Sequence, residues 1–159
     1  MRNDRTGLFD HSNSEWLQIS PGERFKIRTS TKDTGGAYTV LEFVADAGYG
    51  TPMHVHDNED EHFIVLEGSV RIANGDKILD ASAGTTVTVS KGMPHAWCNL
   101  SDTPARVLVV LSPGDVEGLF KEVVARKGND IAAILNKYGC RFVGPPLLES
   151  VHTFESSPS

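Results

Sequence analysis

The chain has 159 residues, a formal net charge of −6 and two cysteines, enough for one domain with a sizeable core but not for two ordinary ones. The acidic balance argues against nucleic-acid and anionic-membrane partners, both of which need a basic surface. Cys98 and Cys140 lack framework spacing, no apolar stretch follows the early arginines, and no run approaches the roughly 18 apolar residues of a bilayer span, so the expectation is a cytoplasmic protein without disulfides.

Residues 1–20 read as an N-terminal arm, because Asn, Asp, Ser and Arg dominate its start and favour irregular structure. A strand-rich region follows over 21–112. Between Arg24 and Thr29, Phe25 and Ile27 alternate with Lys26 and Arg28, as in a half-buried strand. Thr31 to Gly36 is a loop of Lys, Asp, Thr and paired Gly. Tyr38 to Val44 predicts a strand that turns at Ala45-Asp46-Ala47-Gly48. Phe63 to Leu66 and Ser69 to Ala73 are further strands, and Asn74-Gly75 ahead of Asp76 predicts a tight hairpin. Lys77 to Leu79, Thr85 to Val89, His95 to Asn99 and Arg106 to Leu111 complete a series of short strands broken by Gly and Pro. Such a series predicts an all-β antiparallel sandwich or barrel.

After Pro113 the texture changes, and 113–147 reads as a helical appendix. Val116, Leu119, Phe120, Val123 and Val124 recur at helical spacing, with Asp115 placed as N-cap and Lys127-Gly128 as a stop. A second short helix runs from Asp130 to Tyr138, with Ile131, Ile134 and Leu135 on one face and Gly139 at its end. Gly144-Pro145-Pro146 cannot be helical, and 148–159 is a polar tail. A helix this short is marginal alone, so its apolar stripe must dock on the outer sheet or across the barrel mouth.

Two stretches carry the chemistry. In the first, Gly48 is followed after five residues by His54-Val55-His56, then after four by Glu61 and after six by Gly68. In the second, seven residues separate Gly84 from Gly92, two separate Gly92 from His95 and three separate His95 from Asn99. A strand repeats every second residue, so His54 and His56 share one face, which no helix allows at that spacing. Imidazoles beside a carboxylate suit one divalent transition metal, with Fe, Mn, Ni, Zn and Cu all open. Glu59, Asp60 and Glu61 are each carboxylates within reach of that set.

Both stretches resemble the two signature motifs of the cupin superfamily, and Asp60-Glu61-His62-Phe63-Ile64-Val65-Leu66-Glu67-Gly68 continues as that family does past its glutamate. The resemblance implies an antiparallel double-stranded β-helix, a jelly-roll barrel, with His54, His56, Glu61 and His95 as metal ligands. One position departs: the family's usual Pro, two residues before Gly92, is Ser90 here. That change bears on turn stiffness and leaves the ligand positions untouched.

Parity then nominates pocket walls. Trp97 and Asn99 share the face of His95, Phe63 and Val65 share that of Glu61, and Met53 and Tyr49 lie in the loop beside the first motif. Val65 reads as plain packing, whereas Trp97 and Phe63 beside a metal suit an aromatic or unsaturated small-molecule substrate. His62 and Cys98 have the opposite parity and should point away, and His11 and His152 fall in the solvated ends.

Two classes of function are implied. The first is an enzyme similar to the quercetin-dioxygenase-like cupins, in which Glu61 also swings to act as general base on a substrate hydroxyl. With a non-redox ion, the same frame supports an isomerase, cyclase or lyase. The second is a cupin that captures a small ligand without turnover. Related small cupins pair, so a homodimer is expected, with the arm before Phe25 as the segment that crosses.

Overall fold

The computed structural model describes residues 7–147. Its strands form two antiparallel sheets. The larger contains β1 (Leu17–Ser20), β2 (Glu23–Thr29), β3 (Thr39–Ala45), β5 (Asp60–Glu67), β8 (Thr86–Val89) and β10 (Ala105–Ser112), in the order β1-β2-β3-β10-β5-β8. The smaller contains β4 (Pro52–His56), β6 (Ser69–Asn74), β7 (Lys77–Ser82), β9 (His95–Cys98) and β11 (Cys140–Pro146), in the order β11-β4-β9-β6-β7. Together they make the all-β double-stranded β-helix that the motifs imply.

Alternation explains why the sheets close on one another. Along β10, Ala105, Val107, Val109 and Leu111 are buried while their neighbours are half-buried, so one face of the central strand feeds the core. Phe25, Leu41, Phe43, Phe63, Val65 and Ile72 join that core from both sheets. Phe25 and Phe43 stack at 5.6 Å between ring centroids, and Trp97 meets Phe43 edge-on at 6.1 Å. The glycine that ends the first motif is a geometric necessity. Gly68 has φ 77, and a Cβ there would lie 3.1 Å from Ala105 Cα.

The helices are α1 (Glu117–Ala125) and α2 (Ile131–Lys137). Val116, Leu119, Val123, Ile134 and Leu135 belong to the same buried cluster as Phe25 and Phe43, so the stripe does dock and shares the barrel's core. Lys127 and Gly128 adopt positive φ and stop α1 where the sequence placed the stop. The cap differs from expectation. Val116 is the N-cap and no side chain caps the helix, because the acid that fixes its start is Glu117. Glu117 Oε2 accepts from Thr31 N at 2.8 Å and Thr39 Oγ1 at 2.7 Å, while Oε1 accepts from Lys121 Nζ at 2.7 Å. The bonds to Thr31 and Thr39 run from the first turn of α1 to the β2–β3 loop and the start of β3, and hold the helix against the barrel.

Two strands stand where none was expected. The arm contributes β1, which pairs with β2 through Leu17↔Phe25 and Gln18↔Arg24, so this part of it folds onto its own chain. The appendix contributes β11, which pairs with β4 through Cys140↔His56 and Phe142↔His54. Pro145 and Pro146 are tolerated there because β11 is an edge strand whose outer N–H groups need no partner. His11 is not free in solvent, since its Nε2 contacts the Asp33 carboxylate. His152 and the polar tail lie outside the described residues. Among the described residues no helix is long and apolar enough to cross a membrane.

Candidate metal centre

Three strands converge on one point. β4 turns His54 and His56 to the same side, β9 sets His95 directly opposite His54, and β5 brings Glu61 across from the other sheet. One ligand atom from each of these four side chains lies within 4.8 Å of all the others. Donor atoms this close together would hold a single transition-metal ion. Ring centroids are 4.3 Å apart for His54–His95 and 5.1 Å for His54–His56. His56, Glu61 and His95 are buried and His54 is half-buried.

The backbone selects which nitrogen faces inward. His54 Nδ1 donates to the carbonyl of Pro52 at 2.8 Å, and His95 Nδ1 donates to that of Met93 at 2.9 Å. A carbonyl only accepts, so each ring holds its hydrogen on Nδ1 and presents the Nε2 lone pair, the tautomer a metal requires. Glu61 Oε2 stands 2.6 Å from His95 Nε2 and 3.5 Å from His56 Nε2. Two acceptors 2.6 Å apart need a proton or a metal cation between them. The donor set therefore fits a divalent transition metal.

Electrostatics follow from the crowding. Burial, then the neighbouring imidazoles of His95 and His56, lower His54 to about 4, so it stays neutral. Burial is also the largest single influence on Glu61 and pushes it up, but His95 and the other two imidazoles outweigh it and hold it at about 2. For His56, burial again comes first and opposes charge, yet Cys140, Glu59 and Glu61 outweigh it and raise the ring to about 10. His56 thus holds a proton that a metal has to displace. Glu59, one of the carboxylates left open by spacing alone, has an oxygen 3.6 Å from His56 Nδ1, on the far side of that ring from Nε2.

The cluster opens into a cavity of about 460 Å³. Trp97 and Tyr49 line it. The other three residues nominated as pocket walls do not. Met53 neighbours a ligand on β4, so the pleat turns it outward, where it packs with Ala73, Ala96, Cys98 and Leu147. Phe63 has the right parity but lies too deep, fully buried in the core with its ring 6.5 Å from that of His95. Asn99 follows the end of β9, so strand parity no longer governs it. Its Nδ2 donates to the carbonyls of Ala45 and Thr103, and its Oδ1 accepts from Ser101, which makes it a loop clamp.

Most of the cavity wall lies beyond the residues that parity nominated as pocket walls, and part of it is the apolar stripe of the helical appendix. Leu119, Phe120 and Val123 of α1, Ile131 and Leu135 of α2, and Cys140 and Phe142 of β11 line one part. Ile19, Ser20, Pro21 and Glu23, around the β1–β2 turn, line another. A signal for Glu23 existed, since it shares the inward parity of Phe25 and Ile27.

Comparison with known proteins agrees with this geometry. A family model described as "Cupin domain" matches residues 41–111. A curated relative, mannose-1-phosphate guanylyltransferase 2 of Escherichia coli O157:H7, is 29% identical over 86 residues, which cover 54% of this chain but only 18% of that enzyme. Among solved structures, KdgF from Halomonas sp. superposes with a TM-score of 0.64 at 20% identity, over 71% of this chain and 99% of that one. An RmlC-like cupin from Shewanella frigidimarina gives 0.60 at 16% identity, over 71% and 96%. The polyketide cyclase RemF from Streptomyces resistomycificus gives 0.57 at 20% identity, over 67% and 78%. This chain therefore carries a cupin domain over residues 41–111, on the fold it shares with these solved structures.

Proposed function

We propose that this cupin is a metal-dependent enzyme acting on a small, largely apolar molecule that carries an ionisable hydroxyl, by oxygenation of the quercetin-dioxygenase-like type. One observation carries the reading: a cavity walled mainly by Phe43, Trp97, Leu119, Phe120 and Phe142 opens onto the convergent donors of His54, His56 and Glu61. His54, His56, Glu61 and His95 would hold the ion, and the ion when bound supplies Lewis acidity and, if redox-active, electron transfer. The aromatic wall binds the substrate's flat body and excludes water from the donors. Glu61 Oε2 sits among the imidazoles and is the acceptor positioned to take a hydroxyl proton as the substrate docks.

The likeness to the polyketide cyclase RemF favours a second reading, a non-redox cyclase, isomerase or lyase on the same frame. Oxygen uptake by metal-reconstituted protein, with a panel of flavonols and other enols, separates the two. The first reading expects substrate-dependent uptake that is lost in Glu61→Gln. Product formation without oxygen favours the second. Tight binding with no turnover under either atmosphere leaves a ligand-capture protein and sinks the enzymatic reading.

A further inference from the structure

The cavity holds a carboxyl outside the metal cluster that the fold does not fully use. Glu23 is only 7% exposed, and its side chain lines the cavity. Its Oε2 accepts from Ser20 Oγ at 3.1 Å across the β1–β2 turn, but its Oε1, buried as well, has no hydrogen-bond partner. Among the orphaned buried side-chain atoms of the described residues, only Glu23 Oε1 and His56 Nδ1 belong to cavity-lining residues. Two hydroxyls of the wall are engaged: Ser20 donates to Glu23 and Thr51 Oγ1 accepts from Trp97 N.

A buried carboxyl with an unmet oxygen destabilises the fold unless something else completes it. Burial raises the pKa of Glu23, and the Ser20 bond only partly opposes this, so the group is held toward its protonated form. The unmet Oε1 is an acceptor, which suits the O–H of a neutral hydroxyl and not an anion. Its place is also informative. Glu23 pairs with Ala45, at the opposite end of β3 from Thr39, whose row continues through Leu111 to Glu61. Glu23 and the metal cluster therefore mark separate ends of one mostly apolar cavity. The local backbone is built around this end, since Tyr49 packs on Gly22 so closely that a Cβ there would lie 2.1 Å from its ring.

We propose that Glu23 is a substrate-recognition residue that accepts a hydrogen bond from a neutral hydroxyl on the end of the substrate away from the metal cluster. The substrate class narrows to an elongated, mostly apolar molecule with one ionisable oxygen at the donors and a second, uncharged polar group at Glu23. This rests on the small-molecule reading of the cavity given above.

The test uses metal-loaded protein and two probes, a flavonol and its counterpart with one added hydroxyl on the remote ring. Calorimetric titration should show the added hydroxyl tightening binding about tenfold in the wild type, as one buried hydrogen bond allows. The gain should vanish in Glu23→Leu and survive at least in part in Glu23→Gln, whose amide still bonds a hydroxyl. In the absence of probe, Glu23→Leu should melt at or above the wild-type temperature, because it removes an orphaned polar atom. No gain in the wild type, an equal gain in Glu23→Leu, or a lowered melting temperature overturns the proposal, the last by making Glu23 a staple of the β1–β2 turn. If neither flavonol binds the wild type, the flavonol-type reading fails by itself. The melting comparison then decides for Glu23, an undiminished temperature supporting recognition and a lowered one refuting it.

Discussion

The metal-ligand cluster and the cavity wall differ in where along the chain they come from. His54, His56, Glu61 and His95 all fall inside residues 41–111, the span of the cupin domain match. Much of the wall falls outside it, in the β1–β2 turn, in α1 and α2, and in β11. The donors sit on paired strands, and the backbone carbonyls of Pro52 and Met93 orient the rings of His54 and His95, so their geometry is fixed by the barrel itself. The wall is assembled from added segments packed onto that barrel. A fold organised this way can keep one set of donors while its flanking segments reshape what reaches them.

The sharpest way to break this comparison is to exchange the expected effects of the two regions. His95→Ala removes a ligand, and metal affinity should fall on the order of 1000-fold, beyond the roughly 10- to 100-fold expected for outer partners. Phe120→Ala should leave metal affinity within about twofold. Competition against a chelator measures both, and equal losses would erase the distinction. Phe120 packs against Phe25 and Phe43 at 5.7 Å and is half-buried. Its truncation should therefore reduce stability by about 2 kcal/mol in urea unfolding and weaken substrate binding as well.

Glu117 links the two regions, tying α1 to the β2–β3 loop. Burial pushes its carboxyl up, but Lys121, Thr39 and Thr31 outweigh burial and hold it below its ordinary value of 4.5. A depressed folded pKa contributes stability above 4.5 that is lost as pH falls through the folded value. Glu117→Gln should therefore lower stability by about 2 kcal/mol at neutral pH. The gap to wild type should close as unfolding is measured below 4.5, and a pH-independent gap would show that charge is not the cause. The smallest effect is expected at Met53, which faces away from the cavity. Met53→Leu should change stability by less than about 1 kcal/mol and alter neither metal nor substrate affinity.

How much of this was legible in the sequence depended on which physical rule applied. The period of two placed His54 and His56 on one face, and Asn74-Gly75 gave the β6–β7 hairpin, where Gly75 has φ 62. The same period put Trp97 beside the cavity and Phe63 on the right face, but parity carries no depth, and Phe63 lies in the core. Asn99 lay one residue beyond the strand where parity holds. β11 was missed because Gly144, Pro145 and Pro146 read as breakers, and only its edge position makes them acceptable. Glu23 was missed because a single inward-parity acid next to Arg24 looks like an ordinary strand end. It faces a cavity that α1 and α2 also line, elements far along the chain, and local pattern holds no record of that.

The measurement closest to the central claim is the anomalous scattering of a crystal grown from metal-replete protein. The account predicts one transition-metal peak at about 2.0–2.2 Å from Nε2 of His54, His56 and His95 and from a carboxylate oxygen of Glu61, with the cavity opening beside it. A peak at another site, or these four side chains drawn closed by protons alone in protein that carries its metal elsewhere, would contradict it.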